Sequence, residues 1–111
     1  MGRSNLLQKR SHKRIPASLV VKFFHNDSIH YGIVMNISER GMFINTGMRL
    51  PADSVVKLLI LLKDRHIDVP VKVRWGEEIK GHYDHMGVEV VAPSREYLQM
   101  VESMKNSDSP G

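Results

Sequence analysis

Five residues in two short stretches have the types and spacing to hold a ligand. Arg10 and Arg14 stand four apart in KRSHKRIP, and Asn36, Ser38 and Gly41 stand in NISERG. A guanidinium is a planar fork that makes paired hydrogen bonds to phosphate, and equally to the O6/N7 edge of guanine. In extended chain the two forks lie ~13 Å apart, and a turn between them would bring them onto one ligand. Asn36 and Ser38 are two apart, so in extended chain they share a face, and both side chains donate and accept hydrogen bonds. Gly41 permits a left-handed turn or the close approach of a ligand to the backbone. Each stretch alone has a plainer reading, as a solvated basic tail and as a tight connection between strands.

The charge distribution favours the first use of the arginines. Arg3, Lys9, Arg10, Lys13 and Arg14 meet no acid in residues 1 to 14, which leaves 11 cations to face all 12 acids in the rest of the chain. The basicity belongs to the N-terminal segment, and it points to an anionic partner met there. Other classes are poorly served. The chain has no cysteine, hence no disulfide and no thiolate chemistry. Its longest apolar run, Val55 to Leu62, is interrupted by Lys57 and falls far short of the roughly 20 residues of a membrane span. The N-terminus lacks the apolar core of a secretory signal, so a soluble, cytoplasmic protein is expected. No nucleophile with a nearby base, phosphate-binding glycine loop or carboxylate pair stands out, and no enzyme is expected. His82, Asp84 and His85 in HYDH read as loop residues rather than metal ligands, and neither a metal nor a cofactor is expected.

The elements that must position these residues read as short strands separated by turn residues. They are 19–24, 30–37, 42–45, 55–62, 67–75 and 85–91. In the second strand Tyr31, Ile33, Met35 and Ile37 alternate onto one apolar face. The fifth alternates most cleanly, and Trp75 falls on its apolar phase, with guanine stacking as a second use of the ring. Pro70 in that strand predicts a sheet edge or a break in pairing. Ser94 caps a helix with Tyr97, Leu98, Val101 and Met104 on one face. Six antiparallel strands at this spacing predict an all-β barrel or sandwich, with one C-terminal helix over an open end.

Taken together, RxxxR followed by a strand and then NxSxxG after the next strand closely resembles the PilZ domain family. VRW at 73–75, the strand HMGVEVV and the closing helix fall where that family has them. The resemblance implies a six-stranded antiparallel barrel with a C-terminal helix, acting as a receptor for the bacterial second messenger cyclic di-GMP. It implies that Arg10 and Arg14 hold phosphate and stack on or bond guanine. Asn36 and Ser38 would bond a guanine edge, and Gly41 would let the base lie against the backbone. Lys9 stands where many members carry a further arginine, so one or two nucleotides per chain are both open. Asn36 stands where many carry aspartate. Residues 1–8 are expected as a flexible arm, 9–104 as the domain and 105–111 as a disordered tail. The expected partners are the dinucleotide and a separate downstream protein, with the chain a monomer or weak dimer. The rival readings are a ligand-independent interaction module and a basic-armed binder of single-stranded nucleic acid. The second wants clustered aromatic platforms, which seven scattered aromatic residues do not provide.

Overall fold

A computed structural model describes residues 14–48, 50–78 and 84–107 of the chain. Six strands, β1 (Ile15–His25), β2 (Ser28–Ile37), β3 (Gly41–Thr46), β4 (Val55–Leu61), β5 (His66–Glu78) and β6 (Asp84–Val90), precede one helix, α1 (Arg95–Ser107). They close into an antiparallel barrel in the order β1-β2-β3-β6-β5-β4. This is the all-β barrel with a C-terminal helix that the sequence predicts.

Strand alternation builds the interior. Val21 and Phe23 of β1, Leu58 and Ile60 of β4, and Ile67, Val69, Val71 and Val73 of β5 are buried in one apolar cluster. Each such side chain contributes ~1.5–3 kcal/mol relative to exposure. The β1–β2 turn is made by Asn26 and Asp27, both with left-handed φ (52° and 64°), as a two-residue hairpin loop requires.

In β2 the apolar face departs from the simple alternation. Gly32 and Val34 point inward and Ile37 is buried, while Tyr31, Ile33 and Met35 are exposed. The cause is a bulge: Val34 pairs with Ile44 but Asn36 pairs with Phe43, so Met35 is an extra residue and the inward phase changes after it. Pro70 falls at a break in pairing, where the ladder with β6 ends, rather than at a sheet edge, because a closed barrel has no edge. Its carbonyl accepts from the Val91 N–H (2.9 Å), and β6 has ended at Val90. In an antiparallel ladder a residue's N and O point the same way, so the missing donor faces the end of β6 and no ladder bond is lost.

The registers place the start of β1 and the ends of β2, β4 and β6 at one end of the barrel, and α1 lies over that end. Ser94 caps the helix, its Oγ accepting from the Tyr97 N–H (3.1 Å). Tyr97, Met100 and Val101 join the barrel cluster, with Met104 packed against it; Leu98 is 37% exposed. Met100 therefore takes the place expected of Leu98, as i, i+3, i+4, i+7 spacing from Tyr97 requires. The helix also runs on to Ser107, so Lys105, Asn106 and Ser107 are helical rather than the start of a tail. No helix among the described residues is long and apolar enough to cross a membrane.

Candidate functional site

Arg14 and the NISERG turn meet at the end of the barrel covered by α1. Ile15 opposes Ile37 and Pro16 opposes Asn36, so the residue just before β1 arrives beside the end of β2. Arg14 is that residue. Its Nη1 donates to Asn36 Oδ1 (3.3 Å), which leaves the amide NH2 group of Asn36 as a donor. Its Nη2 lies 3.7 Å from where a Cβ on Gly41 would stand. A guanidinium, an amide and a glycine from three strand ends are thus brought together across 27 residues of sequence.

The turn between β2 and β3 is held from within. The Ser38 N–H donates to the Gly41 carbonyl (2.9 Å), and Ser38 Oγ accepts from the N–H groups of Arg40 (3.1 Å) and Gly41 (3.2 Å). Ser38 is buried, and with both lone pairs engaged its hydroxyl keeps one O–H to offer. It no longer shares an extended face with Asn36, because β2 ends at Ile37. Gly41 has no left-handed φ. Instead, a Cβ there would lie 2.6 Å from the Val88 carbonyl oxygen, so the glycine is required by the close passage of β6.

The helix grips the same turn at two points. The Tyr97 hydroxyl donates to the Ser38 carbonyl (2.6 Å), and Lys105 Nζ binds Glu39 Oε2. Burial, and then the charge of Glu39, push the Tyr97 phenol well above its ordinary range, against a smaller opposing effect of Arg14. Both charges therefore act at the same phenol. The sequence reading of Tyr97 as core packing missed this bond. The signal that could have found it is a tyrosine rather than a phenylalanine at a buried helix position, since a buried hydroxyl takes a partner.

Arg40 is exposed in the turn. It lines an open cleft of about 720 Å³ with Lys72, Arg74 and Glu89, walled by residues 90–93. Arg74 Nη1 lies 3.5 Å from Glu89 Oε1, and Lys72 Nζ lies 3.9 Å from Asp53 Oδ1. Lys9 and Arg10 lie outside the described residues, as does the side chain of Trp75, whose backbone opposes Gly87 just beyond a bulge in β5. His82 also lies outside them, and the His85 ring stands 4.9 Å from that of Phe43. Among the described residues no group of three histidines or acids could hold a metal ion.

A family model for the PilZ domain matches residues 8–104. The chain belongs to the PilZ domain family. Solved structures with the same fold are distant in sequence. The PilZ domain of Escherichia coli YcgR, solved with c-di-GMP, is 12% identical with a TM-score of 0.71, the match covering 90% of this chain and 91% of that one. The K. pneumonia MrkH–c-di-GMP complex is 14% identical with a TM-score of 0.73, over 88% of this chain and 51% of that one. The Bacillus subtilis inhibitor of motility MotI/DgrA is 18% identical with a TM-score of 0.68, over 92% and 53%. This PilZ domain thus spans about half the length of MrkH and MotI/DgrA. No curated protein matches the chain significantly.

Proposed function

We propose that this PilZ domain is a bacterial, cytoplasmic receptor for cyclic di-GMP rather than an enzyme. The observation that carries the reading is the meeting of Arg14, the second arginine of RxxxR, with Asn36 and Gly41 of NxSxxG at one end of the barrel. YcgR and MrkH, which share the fold, are solved with c-di-GMP. The chemistry suits that ligand, which presents two phosphates and two guanines. Arg14 holds phosphate or a guanine edge with its fork. The amide NH2 of Asn36 and the O–H of Ser38 are donors matched to guanine O6 and N7.

In this reading Arg10 joins Arg14, with Lys9 adding a point charge, and the segment carrying them closes over the dinucleotide. Ordering about eight residues costs roughly 8–16 kcal/mol if they start fully free. Several charge-assisted hydrogen bonds at ~1.5–3 kcal/mol each, together with stacking, offset it. The ordered segment is then the surface that a separate partner protein reads. Calorimetric titration of cyclic di-GMP, with GTP as control, tests the proposal. Saturable binding that Arg14→Ala lowers at least about 10-fold supports it, consistent with the loss of one charge-assisted pair. A folded protein that gives no heat with cyclic di-GMP would return it to the class of ligand-independent interaction modules.

A further inference from the structure

Besides Arg14, the NISERG turn adjoins a second group of cations. Gly41, Glu89 and Lys72 stand directly opposite one another across β3, β6 and β5. Two strand spacings separate Gly41 from Lys72, about 10 Å. Arg14 approaches this row at Gly41, and Lys72 ends it. Arg40 reaches the cleft from the turn and Arg74 from β5, so among the described residues three cations converge there on one lining acid. Lys72 and Arg74 are each only loosely paired, at 3.9 and 3.5 Å with side chains 38% and 52% exposed. Ala92, on the rim, holds a left-handed φ of 51°, a conformation that costs a non-glycine residue and recurs at ligand sites.

We propose that Arg40, Lys72 and Arg74 form a second anion subsite that takes the far phosphate of a dinucleotide whose near end is held by Arg14, Asn36 and Ser38. The inference rests on the cyclic di-GMP reading and adds to it the direction in which the ligand lies. A cyclic dinucleotide carries two phosphates on opposite sides of one ring, so a ligand held by Arg14 at Gly41 has a second phosphate to present to cations further along the same row. The cleft is open and large enough for a nucleotide, and its wall at Val90, Val91 and Pro93 offers apolar surface to a base. Glu89 sits between the two ends with its charge on Arg74. It opposes an incoming phosphate and competes for the guanidinium, so it sets an upper limit on affinity.

The test is calorimetry with cyclic di-GMP on the full chain and on Arg40→Ala, Lys72→Ala and Glu89→Gln, with circular dichroism to verify folding. Arg40→Ala and Lys72→Ala are expected to weaken binding roughly 5- to 20-fold each, as partly solvated phosphate contacts do. Glu89→Gln is expected to tighten it about 2- to 5-fold, which no purely structural role of Glu89 would produce. GMP, with one phosphate, should discriminate far less between the full chain and Lys72→Ala. Binding by the unmodified chain that all three substitutions leave unchanged overturns the subsite while the receptor reading stands. So does weaker binding by a folded Glu89→Gln variant. No binding by the unmodified chain removes the receptor reading and the subsite with it.

Discussion

Strand β2 is bounded by two tight connections, and they are built in different ways. At its start, Asn26 and Asp27 reverse the chain with two left-handed residues, both exposed. That turn depends only on residues that tolerate positive φ. At its end, Ser38 to Gly41 depends on distant chain. Arg14 binds the preceding Asn36, Val88 passes against Gly41, Tyr97 holds the Ser38 carbonyl and Lys105 holds Glu39. The first turn closes a hairpin. The second is a junction where the first strand, the sheet and the terminal helix meet.

Three substitutions sharpen the contrast. Gly41→Ala should have the largest effect, about 3 kcal/mol of stability by urea unfolding, because its Cβ would meet a backbone oxygen that cannot turn away. Tyr97→Phe should cost about 2 kcal/mol by leaving the Ser38 carbonyl without its hydroxyl donor. That cost depends on pH in a definite direction. The folded phenol ionises well above the ordinary value of 10.0, so its stabilisation is fully present below pH 10 and is lost as pH rises beyond it, where only the unfolded chain ionises. The stability gap between the native protein and Tyr97→Phe should therefore shrink above pH 10 and stay constant between pH 7 and 9. Asn26→Ala should have the smallest effect, about 1 kcal/mol, the cost of placing an ordinary side chain at left-handed φ. It should leave ligand affinity unchanged, whereas Gly41→Ala should weaken it.

The same contrast explains what could be read from the sequence. Alternation in β5 and the Asn26-Asp27 turn are local patterns, and they predict their own structure. The NISERG motif marks the turn, but why its residues are there is not local. The reason for Gly41 is Val88, 47 positions away, and Tyr97 lies 59 positions from Ser38. Tyr31, Ile33 and Met35 share a face as alternation predicts, but Ile37 leaves it, because one bulge residue reverses the phase of a strand and bulges leave little trace in composition. Pro70 marks a break in pairing as its missing donor predicts, but which neighbour stops there is set by the register with β6. The helix end at Ser107 was hidden by a polar composition, NSDS, that reads as tail until Lys105 is seen to bind Glu39.

The most direct measurement follows the backbone amides of both turns by nuclear magnetic resonance as cyclic di-GMP is added. The account predicts saturable shifts at Asn36 and at Ser38 to Gly41, with Tyr97 following through the Ser38 carbonyl, and none at Asn26 or Asp27. Saturable shifts that leave the Ser38–Gly41 turn untouched, or no shifts at all from a folded protein, would contradict it.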